Sequence, residues 1–205
     1  MKIVLIGQIA SGKGTLSQHL QDELNFEPIS IGLLLRKECE SDSPEAQMIR
    51  ARLERGELVP DDVALAVLKK HLDTIGDKNI IFDGYPRNIA QARCLDTITT
   101  IDKVLFLNVD ESVIRDRFLG RRECSKCGYI SNINWPDYSP ICPRCGGEMA
   151  KRNDNNEEAM NSKMMSFTRD TLPVLDYYKE RGLVEEIDAG QDEQYTLNEA
   201  KKILK

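Results

Sequence analysis

The sequence predicts an α/β fold, a parallel sheet covered by helices on both faces, and three observations carry that prediction. Short β-branched runs recur at 2–6, 79–82, 104–109 and 183–187. Helical patterns fill the intervals, and such alternation builds a parallel sheet with crossover helices. Two stretches break the alternation, 29–72 and 124–147, and read as additions to one core. At 205 residues the chain is near the upper end for one compact domain. With 40% hydrophobic and 30% charged residues it has the composition of an ordinary globular protein with a sizeable core.

Taken in order, residues 2–6 form an apolar run that ends at Gly7. Residues 14–24 follow with Leu16, Leu20 and Leu24 at four-residue spacing, one apolar stripe of a helix. From 29 to 72 the chain is charged and mostly helical, punctuated by Gly32, Gly56 and Pro60, and is expected to form a small helical lobe without a strand. The next strand, 79–82, runs into Asp83. In 124–147, Pro136, Pro140 and Pro143 fall among Gly128, Gly146 and Gly147 and supply turn signals without a helical period, hence an inserted knob. Residues 156–181 predict one or two helices with a kink or break at Pro173, and 195–204 a terminal helix.

A formal net charge of −6 argues against a polyanion binder. No apolar run reaches the roughly 18–20 residues of a membrane span, and IVLI is shorter than a signal-peptide core. A cytosolic chain that enters no membrane is the expectation. Six cysteines in such a chain read as metal ligands or buried thiols. Cys39 and Cys94, in helical stretches, take the second reading.

Chemistry begins at Gly7-Gln8-Ile9-Ala10-Ser11-Gly12-Lys13-Gly14-Thr15. Glycines let consecutive backbone N–H groups turn inward, the following helix offers its N-terminus, and Lys13 reaches outer phosphates. Gly14 directly after the lysine delays the hydroxyl to Thr15, so a magnesium ion would lean on phosphate oxygens, water and a carboxylate elsewhere. Asp83, at the carboxyl end of its strand, is the candidate carboxylate; a solvated turn aspartate is the alternative. Arg87 and Gln91 are four apart, one helical turn, so a guanidinium and an amide can face one ligand, one on phosphate and one on a base edge.

These pieces resemble the adenylate kinases, within the nucleoside monophosphate kinase family of P-loop proteins. The resemblance extends through Ile29-Ser30-Ile31-Gly32-Leu33-Leu34-Leu35-Arg36, Gly56-Glu57-Leu58-Val59-Pro60-Asp61, Asp83-Gly84-Tyr85-Pro86-Arg87, the 116–122 run DRFLGRR and 152–158, RNDNNEE. It implies a P-loop fold with a five-stranded parallel sheet and a reversible, Mg²⁺-dependent transfer of the terminal phosphoryl group of ATP to AMP, giving two ADP. It divides the chain into a core (1–29, 60–121, 159–205), a helical monophosphate lobe (30–59) and an inserted zinc-bearing lid (122–158), and it implies a monomer.

By the same resemblance the donor ATP is held by Ala10, Ser11, Gly12, Lys13, Gly14 and Thr15, by Arg117 against its base, and by Arg121, Ile130, Ser131 and Gln191. The acceptor AMP meets Ser30, Ile31, Gly32 and Arg36, then Glu57, Leu58 and Val59, then Gly84, Tyr85, Pro86, Arg87 and Gln91, with Arg152 and Lys163. Lys13, Arg87, Arg121, Arg152 and Lys163 surround the transferring group, and Asp83 holds magnesium through water. The family usually has threonine where this chain has Ile31, aspartate for Leu33, lysine for Glu57, proline-glycine for Ile9-Ala10 and arginine for Lys163. Most departures fall in the monophosphate lobe, which leaves GMP, UMP or CMP as rival acceptors. A P-loop and zinc-ribbon protein without transfer activity is the rival of another class. Gln91 favours adenine, with guanine and cytosine still open.

Cys124, Cys127, Cys142 and Cys145 give C-x2-C-x14-C-x2-C, each pair followed by glycine, as in a closed structural Zn²⁺ site; two redox dithiols are the competing reading. Residues 121–152 carry six basic and three acidic side chains, and a Zn²⁺ with four thiolates brings the total to about +1, thin for nucleic acid. The charge gathers at the base of the knob, in Arg121, Arg122, Lys151 and Arg152.

Overall fold

The computed structural model describes residues 1–54, 59–151 and 155–205. Its centre is a parallel sheet of five strands in the order β2-β3-β1-β4-β8. β1 (Lys2–Gly7) lies between β3 (Ile80–Asp83) and β4 (Lys103–Asn108), with β2 (Glu27–Ser30) and β8 (Val184–Asp188) at the edges. Along β1, Ile3 and Leu5 join one apolar cluster and Val4 and Ile6 the other. That two-residue alternation turns successive side chains to opposite faces, so a run apolar at every position demands cover on both.

Helices supply the cover. α1 (Lys13–Leu24), α6 (Glu111–Gly120) and α9 (Glu193–Ile203) bury Leu16, Leu20, Ile114, Leu197 and Ala200 against Ile3 and Leu5. α4 (Asp61–Ile75), α5 (Ile89–Ile98) and α8 (Leu172–Lys179) bury Leu68, Leu95 and Tyr178 against Val4 and Ile6. α2 (Ile31–Glu38) and α3 (Pro44–Glu54) add Leu35 and Ile49 to this second cluster, so the helical lobe shares its core with the sheet. Asn88, Asn156 and Asp192 start α5, α7 (Glu157–Ser166) and α9 by accepting from the N–H three residues on.

Edge strand β2 overlaps the start of the 29–72 stretch, where the residue pattern marked no strand, and completes the five-stranded sheet that the resemblance implied. It is four residues long and contains Pro28, which cannot donate to a ladder and is tolerated at an edge. Pro173 lies just after a π-helical turn, Phe167–Thr171, that joins α7 to α8. The proline has no N–H for the carbonyl four residues back, and a wider turn accommodates the missing bond.

The cysteine segment is a small antiparallel sheet, β5 (Arg121–Cys124) flanked by β6 (Ile130–Asn132) and β7 (Met149–Ala150). Two buried asparagines tie it to the core. Asn132 Nδ2 donates to the carbonyls of Asp116 and Arg117, and Asn155 Nδ2 to those of Leu119 and Arg121. The Arg117 and Leu119 carbonyls fall in the last turn of α6, where helical donors run out, and Arg121 opens β5. Among the described residues no helix is long and apolar enough to cross a membrane.

Candidate active site

The loop between β1 and α1 meets the chain at the carboxyl ends of the strands, where the strand order reverses around β1. Gly12 takes φ 92°, a left-handed turn that a side chain disfavours, and directs the chain into α1. Ala10 also takes positive φ, 54°. Lys13 folds back over the loop: its Nζ donates to the carbonyls of Gly7 (2.8 Å) and Gln8 (2.7 Å) and to Ser11 Oγ (3.3 Å). Burial lowers its pKa from 10.5 to about 8, with Asp83 opposing the shift and Arg87 and Arg121 adding to it. Those influences identify its charged neighbours.

Three cations and one carboxylate therefore converge at the loop. Asp83 is level with Leu5 of β1 and with Ser30 of β2, so the sheet itself sets it beside the phosphate loop. Arg87 Nε donates to the Gly84 carbonyl at 2.8 Å. Burial lowers the Arg87 pKa, and Asp83 opposes this. Arg121 begins β5, with Nη2 3.5 Å from Glu123 Oε2. Thr171 Oγ1 donates to the Arg87 carbonyl at 2.9 Å, a support that no sequence pattern marks.

The predicted helical turn between Arg87 and Gln91 is not the contact the chain makes. α5 begins at Ile89, after its cap Asn88, so Arg87 precedes the helix. Gln91 nonetheless meets it through the backbone, its Oε1 accepting from the Arg87 N–H at 2.7 Å. Gln91 Nε2 donates to Asp61 Oδ1, also at 2.7 Å. Tyr85 is buried in the apolar cluster beneath, as are Ile31 and Val59. Pro86 follows Tyr85 in the turn to Arg87. Gly32 packs on its own Arg36, whose Nη1 is 3.8 Å from where a Cβ would stand. Glu57, Leu58 and Arg152 lie outside the described residues.

Arg117, on α6, donates to the carbonyls of Ala189 (2.7 Å), Gly190 (3.4 Å) and Gln191 (3.0 Å). A guanidinium held at its edges by carbonyls keeps a flat face for stacking. Gln191 turns its own side chain to Asp188. Lys163, on α7, sits 5.3 Å from the ring centre of Phe118.

The knob lies over α1. Ile130 Cδ1 is 3.8 Å from the position a Gly14 Cβ would take, and Ser131 beside it is buried. Arg144 Nη1 donates to Gln18 Oε1 at 3.2 Å, and its Nη2 is 3.7 Å from Asp22 Oδ2. The four cysteine sulfurs lie within 4.8 Å of one another. Cys124 and Cys145 are 3.5 Å apart and Cys127 and Cys142 3.6 Å, against about 3.8 Å between sulfurs around a tetrahedral zinc with bonds of about 2.3 Å. Gly128 and Gly146 donate to the Cys124 and Cys142 carbonyls with φ 72° and 70°, two matching knuckles. The donor set fits a zinc ion.

The family model for adenylate kinase matches residues 5–183. An adenylate kinase of Erythrobacter litoralis is 39% identical over 92% of this chain and 92% of its own length. Adenylate kinases of Halobacterium salinarum and Bacillus subtilis are 36% and 33% identical, over 95% and 100% of this chain and 93% and 98% of theirs. With the phosphate loop, the converging cations and the cysteine-bearing insertion in place, and relatives aligned over nearly the full length, the chain belongs to the adenylate kinase family.

Proposed function

We propose that the chain catalyses reversible transfer of the terminal phosphoryl group of ATP to AMP, yielding two ADP. The observation that carries this is the convergence of Lys13, Arg87 and Arg121 with Asp83 around the loop at the carboxyl ends of β1 and β3. The nucleophile is an AMP phosphate oxygen, already anionic, so no side chain has to remove a proton. Rate then comes from alignment and from positive charge around the equatorial oxygens of the group in flight.

Lys13 and Arg121 face the donor phosphates, Arg87 and Arg36 the acceptor phosphate, and Lys163 adds positive charge; Arg152, outside the described residues, keeps the role that the resemblance implies. Mg²⁺ arriving with the nucleotide would offset phosphate charge, and Asp83 is the carboxylate that would hold it through water. The donor base stacks on Arg117 beside Gln191. Residues 30–59 form the acceptor lobe, and 122–158 a lid whose cysteines bind structural Zn²⁺. Closure of the lid, for which adenylate kinases are a standard instance, sets Ile130 and Ser131 over the donor and excludes water that would otherwise take the phosphoryl group.

An acceptor panel of AMP, GMP, CMP and UMP with ATP and Mg²⁺, read by a coupled ADP assay, tests this. AMP is expected to be the best acceptor; its ranking among the worst would overturn the proposal. Proton linkage gives a second test. Free Lys13 titrates at about 8, and adjacent phosphate raises that value, so the complex holds more protons than the free chain. Calorimetry in buffers of different ionisation enthalpy is expected to show proton uptake on ATP binding that is largest near about pH 8–9 and fades towards about pH 6.5. Buffer-independent heats at the upper pH would rule out Lys13 as the phosphate lysine.

A further inference from the structure

Gln91 is 5% exposed, and both ends of its carboxamide are engaged: Oε1 accepts from the Arg87 N–H and Nε2 donates to Asp61 Oδ1, each at 2.7 Å. The two partners are unlike in kind. A backbone N–H only donates, and an aspartate carboxylate only accepts. Turning the amide over would set its oxygen against the carboxylate and its NH₂ against the Arg87 N–H, two repulsive contacts in place of two hydrogen bonds. Asp61 is the first residue of α4, where the helix dipole favours a negative side chain, and Asp62 follows it.

We propose that Asp61 is a positioning residue that fixes the orientation of the Gln91 carboxamide and thereby selects a 6-aminopurine acceptor over a 6-oxopurine. This rests on the reading above that Gln91 faces the acceptor base. After its two internal bonds, Gln91 retains one amide proton and one carbonyl lone pair. Adenine offers an N6 proton and a neighbouring ring-nitrogen acceptor, which that pair complements. A 6-oxopurine offers the inverse, an O6 acceptor beside an N1 proton, and matches only the inverted amide. Selectivity thus depends on the carboxylate behind Gln91 as well as on Gln91 itself. Leaving a donor or acceptor mispaired in a closed site is what makes the wrong base costly.

Asp61→Asn keeps the size and a hydrogen bond in either sense, and Asp61→Ala removes the partner. With ATP as donor, both are expected to lower the kcat/KM preference for AMP over inosine monophosphate by about tenfold, through the acceptor KM, with the KM for ATP unchanged. In the nucleotide-free chain the Gln91 side-chain NH₂ resonance is expected to move towards the position of an exposed amide in Asp61→Ala, with thermal melting confirming that the variant is folded. A preference within twofold of wild type in both variants, or an unmoved Gln91 resonance, overturns the role of Asp61. If the wild type does not use AMP, the acceptor reading fails and this proposal with it, a result distinct from an unchanged preference.

Discussion

Replacing Lys13 with methionine is expected to lower kcat by about 10²–10³-fold, the loss typical of one pre-positioned charge donor aimed at transition-state charge. Methionine keeps the length and apolar stem of lysine, and the Gly12 turn into the first turn of α1 does not itself use the ammonium. What disappears is the ammonium that bonds Gly7, Gln8 and Ser11. The cation is poorly solvated there, as its lowered pKa records, and phosphate is the partner that would restore its charge. Binding of ATP should weaken less than kcat falls, because charge on the equatorial oxygens matters most during transfer. Steady-state kinetics with a melting curve check this; a kcat within tenfold of wild type in a folded variant would remove Lys13 from the chemistry.

Much of this arrangement was legible in the sequence because local signals and the fold agree there. The run into Gly7, the glycine loop and the leucine stripe of α1 specify strand, turn and helix on their own. The cysteine spacing likewise anticipates the sulfur cluster. Strand β2 was not legible, since Pro28 argues locally against a strand and only an edge position excuses it. The strands of the cysteine knob were hidden for another reason. β7 is two residues long and β6 three, too short for any alternation to register, and their pairing with β5 depends on the knuckles that fold them together. Gln91 was visible as a candidate, but its partners were not. Asp61 lies thirty positions away, and its carboxylate meets Gln91 only because α4 and α5 pack on the same face of the sheet. The same holds for Asn132 and Asn155, whose bonds around the α6–β5 junction depend on how the cysteine knob leaves and re-enters the core.

On the proposed reading the cysteine knob is a zinc-stapled lid, and loss of the metal is then expected to unfold it while the core stays intact. Its buried cluster is Cys124, Cys142 and Met149, with Tyr129 and Tyr138 packed alongside. So small an apolar core does not stabilise a separate lobe, and metal ligation would supply the difference; structural zinc in finger peptides contributes about 10–16 kcal/mol at neutral pH. Two variants separate ligation from packing. Cys142 is buried, so Cys142→Ser removes a ligand and also puts a hydroxyl into the cluster; Cys127 is exposed, so Cys127→Ser removes a ligand with little effect on packing. If zinc is the staple, both are expected to behave alike: about one zinc per chain lost by elemental analysis, and protease cleavage within 124–147. The core melting transition is expected to remain, because neither core cluster includes a lid residue. On the proposed reading activity should fall by at least about tenfold, since Arg121, Ile130 and Ser131 belong to the knob strands β5 and β6 and would close over the donor only when those strands are ordered. A purified chain without zinc that melts and resists protease like its Cys127→Ser variant would overturn the metal site. Damage confined to Cys142→Ser would instead make the cysteines packing residues, with the lid's shape set by the Gly128 and Gly146 turns and the asparagine anchors at its base.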